Sequence, residues 1–348
     1  MPAQIQLTVD SVTFARFRNA WTVLTQFRTV PLVVHTAVPG FSLPAALQFS
    51  GVDLLSAIGR ACTRLEDATA PAALFPLLKY VESVAAGGSL ALSDDIEFLD
   101  RHKKTVLSDE FGSGAALMVA ERLLKTPQLL DVDTGIAMGV VATNAPRSRR
   151  PDFFGTTTES PRRVLVVEAK GTQSSEGYAV RQVVDGCDQL RALDVAGSWT
   201  GIPVVRVAIG LRLTRASQNG ETSLFVSDPK RAKRPRHRLN VPDLGSIHRV
   251  HYARIAALVG DYEELVRLFP ERRRFVSGTV PEVRRFNELD YLGSTLEIRG
   301  PQGLLRMFAG LQADVRRGAE PNAEPRMMPE SPTASLSPDG FLLELTEA

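Results

Sequence analysis

The stretch Arg150-Pro151-Asp152-Phe153-Phe154, followed by Val164-Leu165-Val166-Val167-Glu168-Ala169-Lys170-Gly171, decides how this chain reads. The second segment is an apolar run of strand length that ends in a glutamate and a lysine. Val164 and Val166 share one face of that strand, while Leu165, Val167 and Ala169 share the other, so both faces must be covered. Charges at the end of a buried strand are costly unless they are paired or hold an ion. Side chains two apart on a strand point the same way, with about 6.6–6.8 Å of rise between them, so Glu168 and Lys170 face one pocket. If the segment around Asp152 pairs with this strand, its carboxylate comes from a backbone about 4.7–4.9 Å away. Two carboxylates so placed can reach one cation. Mg²⁺ takes oxygen ligands at about 2.0–2.1 Å and keeps several waters, so Asp152, Glu168 and the Ala169 carbonyl suit it. Lys170 would orient a water or neutralise developing charge.

Around this segment the pattern predicts an α/β arrangement. Ser108 is the expected N-cap of a helix with Asp109 and Glu110 in its first turn, and Leu117, Ala120, Leu123 and Leu124 form its apolar stripe. Strand-like segments follow at Gly135 to Thr143, near Asp152 to Phe154, and at Val164 to Lys170. Tyr178 to Leu193 has helical spacing, with Val180, Val183, Val184, Cys187, Leu190 and Leu193 inward. Ile202 to Thr214 and Thr222 to Val226 read as a hairpin around Asn219-Gly220. The middle of the chain is therefore helix, three strands, helix and one or two strands, with a mixed sheet flanked by helices.

This order, together with Pro151-Asp152 and Glu168-Ala169-Lys170, resembles the PD-(D/E)xK phosphodiesterase superfamily of restriction enzymes, repair nucleases and Holliday-junction resolvases. A lone Pro-Asp or Glu-x-Lys is frequent by chance; the joint arrangement, over roughly a third of the chain, is more specific. The resemblance implies a restriction endonuclease-like sheet and metal-dependent hydrolysis of nucleic-acid phosphodiesters, DNA being the expected substrate. It implies Asp152 and Glu168 as Mg²⁺ ligands, with Mn²⁺ as a substitute, and Lys170 as the catalytic lysine. Many members carry a Glu on the helix before the sheet. Glu110 and Glu121 both qualify, and Glu110, in a polar Asp-Glu-Phe-Gly turn, is the expected one. Some members carry a Gln on the following helix, which Gln182 fits, with Gln189 two turns further along.

Plainer readings stand beside these. Glu168 and Lys170 alone read as a salt bridge at a strand end, worth about 0–1 kcal/mol if exposed, but that leaves Asp152 unexplained. Glu110 also suits a helix dipole, and Glu121, Gln182 and Gln189 also suit a solvated helix face. Asp131 and Asp133 read as a turn. His248 and His251 lack the spacing of a zinc site, Cys62 and Cys187 read as buried apolar residues, and no phosphate-binding G-x-x-x-x-G-K-[ST] loop occurs.

The 348 residues are 44% hydrophobic and 23% charged, which is ordinary for a water-soluble globular chain. No apolar run reaches the roughly 18 residues of a membrane helix, the N-terminus shows no secretion signal, and the two cysteines do not make a disulfide framework. The expected setting is the cytoplasm. A net charge of +2 conceals two patches. Asp228 to Asn240 carries six Lys/Arg against one Asp, and Gly318 to Ala348 carries six acids against one Arg. Lys230, Arg231, Lys233, Arg234, Arg236 and Arg238 repel one another unless an anion offsets them, so they are expected to meet nucleic-acid phosphates. No aromatic residues interleave them, so base stacking is not indicated. Arg272 to Arg274, Arg284-Arg285 and Arg316-Arg317 are candidate extensions of that surface.

The expected organisation is an accessory domain over 1–105, a nuclease-like core over 106–270, a helical extension over 271–317 (with Leu304 to Arg316 helical), and an acidic, Pro-rich, partly disordered tail over 318–348. A homodimer or a regulatory protein partner fits this plan, with residues 1–105 controlling a defence nuclease. The alternative is a nuclease-like scaffold that binds nucleic acid or protein without turnover.

Overall fold

The computed structural model describes residues 4–63, 70–80, 82–197, 199, 201–230, 232, 234–268, 282–316 and 333–347. The chain opens with β1 (Gln4–Thr8), α1 (Ser11–Leu24), β2 (Phe27–Thr36), β3 (Ala46–Ser50), α2 (Gly51–Cys62), α3 (Ala70–Tyr80) and α4 (Arg101–Arg122). It continues through β4 (Gln128–Asp131), α5 (Val132–Ala137), β5 (Ala142–Thr143), β6 (Phe153–Thr156), β7 (Val164–Thr172), α6 (Glu176–Arg191), β8 (Leu193–Ala196), β9 (Val204–Arg212), β10 (Ser223–Ser227) and β11 (His237–Asn240). It closes with α7 (Leu244–Leu258), α8 (Glu263–Leu268), β12 (Glu282–Phe286), β13 (Leu289–Gly300), β14 (Gly303–Gln312), α9 (Ala313–Arg316), β15 (Ala334–Leu336) and β16 (Phe341–Glu347). The fold is mixed α/β. Among the described residues no helix is long and apolar enough to cross a membrane.

Two compact units form. One comprises Thr29–Leu47 and Ser89–His251; the other comprises Met1–Arg28, Gln48–Gly88 and Tyr252–Ala348. The first is built on a mixed sheet of order β3-β2-β10-β9-β7-β6-β4. β4, β6 and β7 are antiparallel neighbours, and β9 lies parallel to β7. The apolar run of β7 is buried on both faces as its sequence demands. Val164 and Val166 join a core cluster with Ala179, Val183, Cys187 and Leu190 of α6. α4 packs on β7 as well. That contact is close because glycines meet there. A Cβ on Gly171 would lie 1.7 Å from the Ser108 carbonyl oxygen, and one on Gly112 would lie 2.7 Å from the backbone at Lys170 and Gly171. A small second sheet, β5-β11-β8, completes this unit.

Several sequence expectations are corrected. α4 starts at Arg101, not Ser108, because Asp100 caps it by accepting the Lys103 N–H at 2.9 Å. Ser108 is mid-helix, donating its hydroxyl to the Lys104 carbonyl at 2.8 Å. The first strand of the core is β4, and Gly135 to Thr143 is extended only at β5. Asp131 accepts the Thr134 N–H at 2.6 Å and thereby turns the chain into α5. Residues 1–105 are not one accessory domain, since Thr29–Leu47 supplies β2 and the start of β3 to the site-bearing sheet.

The second unit holds a sheet of order β1-β13-β14-β16-β15, with β12 on β13. The expected helical extension over 271–317 is, among its described residues, mostly strand. β13 and β14 pair from Tyr291 opposite Gln312 to Gly300 opposite Gly303, and only Ala313–Arg316 is helical. Leu304, Met307, Phe308 and Leu311 fit a helical period, but much of this hairpin is buried along consecutive residues, so the two-residue alternation that marks a strand is lost. Of the tail over 318–348, the described residues 333–347 carry β15 and β16. Asp339 is buried there, held by the Ser337 hydroxyl and by Arg60 at 3.3 Å. The remainder of that tail, and Arg272 to Arg274, lie outside the described residues. Cys62 is exposed rather than buried, while Cys187 is buried.

The α4–β7 contact gives a direct test. Gly171→Ala is expected to destabilise the chain by about 1–3 kcal/mol, since backbone rather than a flexible side chain must yield. Gly177→Ala, where an added Cβ meets nothing within 4 Å, should be neutral or slightly stabilising. Urea unfolding followed by circular dichroism measures both.

Candidate active site

Phe153 pairs with Val167 across β6 and β7, which brings Asp152 alongside Glu168. The Asp152 N–H donates to the Val167 carbonyl at 3.1 Å. The Ala169 N–H in turn donates to Asp152 Oδ2 at 2.7 Å. This clamp holds the Asp152 carboxylate against β7. Lys170 Nζ donates to Glu168 Oε1. Glu168 is 2% exposed and the Lys170 side chain 27%, so the lysine reaches solvent while the glutamate does not. α6 makes room for Glu168 with a glycine: a Cβ on Gly186 would lie 3.0 Å from Glu168 Cγ. Gln182 precedes Gly186 by one helical turn and shares its face.

The electrostatics of the pair follow from burial. Desolvation pushes the Asp152 carboxyl up to about 6, against the Ala169 N–H and Lys170, which favour its charged form. Asp131 and Asp109 push it further up. Desolvation and the neighbouring Asp152 charge push Glu168 up to about 8, although Lys170 opposes them. Burial lowers Lys170, but Glu168, Asp152 and Asp109 outweigh that and leave it above its ordinary value. The charges acting here are four carboxylates and one ammonium, so with all of them ionised the cluster carries −3.

At this site two buried acceptors, Glu168 Oε2 and Gln182 Oε1, have no hydrogen-bond donor among the described residues. They are carried by β7 and α6, and Gly186, one helical turn from Gln182, lies against Glu168. Such orphaned oxygens are expensive unless something supplies positive charge or a proton. An excess of carboxylates with free acceptor oxygens is a donor set that fits a hard divalent cation. Asp152 and Glu168 are the residues that would hold it. Among the described residues no group of three or more His, Cys, Asp and Glu side chains gathers into a ready-made metal cage, so water and substrate would complete any coordination.

The other sequence candidates fall as follows. Asp109, the neighbour of Glu110 on α4, acts with its charge on both Lys170 and Asp152. Glu121 is buried rather than solvated, about 18 Å further along the helix than Asp109 at 1.5 Å per residue. Gln189 Nε2 donates to the Ser148 carbonyl at 3.1 Å and ties the segment before Asp152 to α6. Asp133 holds Arg150 at 2.7 Å and Arg147 at 3.3 Å. Thr156 Oγ1 and His248 Nε2 are 3.0 Å apart, as are His251 Nδ1 and the Leu129 carbonyl, so both imidazoles have partners. Of the basic run, Lys230, Arg234, Arg236 and Arg238 are exposed, while Arg231 and Lys233 lie outside the described residues. The main chain of this run is fastened to the end of α6 by bonds from Ala232, Arg236 and His237 to Arg191 and Ala192. The Arg238 N–H bonds Asn144 Oδ1 at 2.6 Å, in the segment leading to Asp152. Asp109 stands beside Glu110 in the sequence, and its place at the site depends on how α4 lies on β7.

Comparison of the chain with protein-family models, with curated proteins and with solved structures finds no match.

The raised carboxylates fix a sign for pH dependence. Both folded-state values lie above the ordinary carboxylate range, so the folded chain binds these protons more tightly than the unfolded one. Their contribution is most favourable at acid pH and is lost as pH rises through about 6 and then about 8. Asp152→Asn should therefore stabilise the metal-free chain at about pH 8, by on the order of 1–3 kcal/mol, and add little at about pH 3, below the ordinary carboxylate range. Thermal unfolding in EDTA across that range checks this; destabilisation of equal size at every pH would contradict it.

Proposed function

We propose that this chain is a divalent-metal-dependent nuclease that hydrolyses nucleic-acid phosphodiester bonds, DNA being the substrate to test first. The observation that carries the reading is the convergence of Asp152, Glu168 and Lys170 at one end of β6 and β7, with a half-buried carboxylate beside a buried one and one oxygen of the buried carboxylate left without a donor. The succession α4, β4, β6, β7, α6, β9 supports a restriction endonuclease-like core: three antiparallel strands, then a crossover through α6 to a parallel fourth.

Mg²⁺, or Mn²⁺ in its place, supplies when bound the charge that neutralises the scissile phosphate and the activation of water. Asp152 and Glu168 would hold it, with the Ala169 carbonyl as a third donor. Lys170 stays at the Glu168 carboxylate and meets the negative charge that develops on the phosphate. Gln182 offers its carbonyl oxygen to orient a water molecule. Asp109 adds to the field that keeps Lys170 protonated. The exposed cations of the basic run supply sequence-independent affinity for the phosphate backbone.

The test is incubation of the full chain with plasmid, linear and single-stranded substrates. Cleavage is expected with Mg²⁺ or Mn²⁺ and none with EDTA. Lys170→Ala and Asp152→Ala are each expected to lower the rate by at least about 100-fold with the fold retained. Undiminished cleavage by folded Lys170→Ala protein contradicts the reading. Salt-sensitive binding with no cleavage under any metal would favour a binding scaffold without turnover.

A further inference from the structure

A cavity of about 190 Å³ lies beside the candidate site, lined by Ile96, Glu97, Lys104, Gln173, Arg215 and Gln218. It falls short of the roughly 300 Å³ at which sites for drug-sized ligands begin, so it suits a compact group. Its lining is chiefly polar and carries two cations against one acid. Glu97 engages both cations in different ways. Its carbonyl accepts Lys104 Nζ at 2.8 Å, and its carboxylate, 62% exposed, meets Arg215 at 2.6 Å. Gln218 Oε1 accepts the Arg215 N–H at 3.0 Å, which leaves its NH₂ as the end available to a ligand.

The walls are fixed. The loop joining β9 to β10 is stitched to the segment before α4 by Leu92 N–H to the Thr214 carbonyl at 2.8 Å and by Ala216 N–H to the Leu92 carbonyl at 2.9 Å. Ser217 adds its N–H and its hydroxyl to Asp94 Oδ1, at 3.2 and 2.6 Å. Gln173 Nε2 bonds the Lys104 carbonyl and Ser108 Oγ, both at 3.0 Å. Preorganised cationic walls of this kind are what an anion site requires, because little ordering is left to be done on binding.

The cavity is reached by elements that carry the candidate site: Lys104 lies on α4 and Gln173 directly follows β7. Gln173 follows Lys170 along the line of β7 by about 10 Å at strand rise. Lys104 precedes Asp109 on α4 by about 7.5 Å at helix rise. Such a separation corresponds to two or three backbone phosphates of one strand at about 3.4 Å axial rise each.

We infer that this cavity is a backbone-phosphate subsite, in which Arg215, Lys104 and the Gln218 amide hold a phosphodiester of the same nucleic-acid strand that is cut at Lys170. The subsite sets where the strand lies and does no chemistry. An incoming phosphate takes Arg215 over from the exposed Glu97 carboxylate. This rests on the nuclease reading above.

The experiment uses the full chain. Binding to a labelled oligonucleotide is measured over a salt series in the Lys170→Ala background, and cleavage is measured in the parent background. Arg215→Gln and Lys104→Gln should each weaken binding several-fold at low salt and reduce the slope of log K against log salt by about 0.7–0.9 per lost phosphate contact. In cleavage they should raise KM and leave kcat within about two-fold. Gln218→Ala, which removes a neutral donor from an exposed loop, should raise KM without changing the slope, and serves if either charge variant fails to fold. Unchanged slopes and unchanged KM in folded variants, with cleavage intact, overturn the subsite alone. Absence of both binding and cleavage in the parent chain overturns the subsite together with the nuclease reading.

Discussion

Enclosure of one carboxylate against a second, half-buried one at the end of a strand pair is the constraint from which the rest of the site-bearing unit follows. Glu168 is almost fully enclosed and Asp152 is clamped to the β7 backbone by the Ala169 N–H. Neither carboxylate can move into water without undoing a strand pairing or a backbone bond. Lys170 offsets part of their charge, and both still hold protons more tightly than ordinary carboxylates. A chain selected only for stability would replace such a pair with apolar residues, which is often neutral or favourable. Retaining it makes sense where the charges serve a bound cation.

The fold keeps this pair in place through backbone approach more than through side-chain packing. Gly171 and Gly112 let α4 lie directly on the strand that carries Lys170, and Gly186 lets α6 close over Glu168. A Cβ at Gly171 or Gly112 would meet backbone and force α4 off the strand, while one at Gly186 would press on the Glu168 side chain. The same close approach brings Asp109 into the field of Lys170. Two helices and two strands thus meet at the site, and each contributes at least one polar group from a backbone that has little freedom to shift.

Much of this was legible in the sequence. The β7 run, the α6 period and the hairpin of β9 and β10 are local patterns, and the pairing of Asp152 with Glu168 follows from two-residue alternation on adjacent strands. What was not legible depends on tertiary contact. The part Asp109 plays is a matter of helix rotation, which the Ser108–Gly171 contact sets and no local signal reports. Ser108 resembles a cap, yet Asp100 caps the helix two turns earlier. β2 and β3 enter the core sheet from a distant part of the chain, with β2 parallel to β10. The β13–β14 hairpin is buried along consecutive residues, so its apolar spacing matched a helix as well as a strand.

The account depends on Asp152 and Glu168 sharing one divalent cation. Calorimetric titration of Mn²⁺ into the metal-free chain at about pH 7, repeated in two buffers of different ionisation enthalpy, tests this most directly. The account predicts saturable binding that releases protons from the raised carboxylates, and loss of both the binding and the proton release in the Glu168→Gln chain. Binding that releases no protons and survives that substitution would contradict it, as would no binding at all by the folded parent chain.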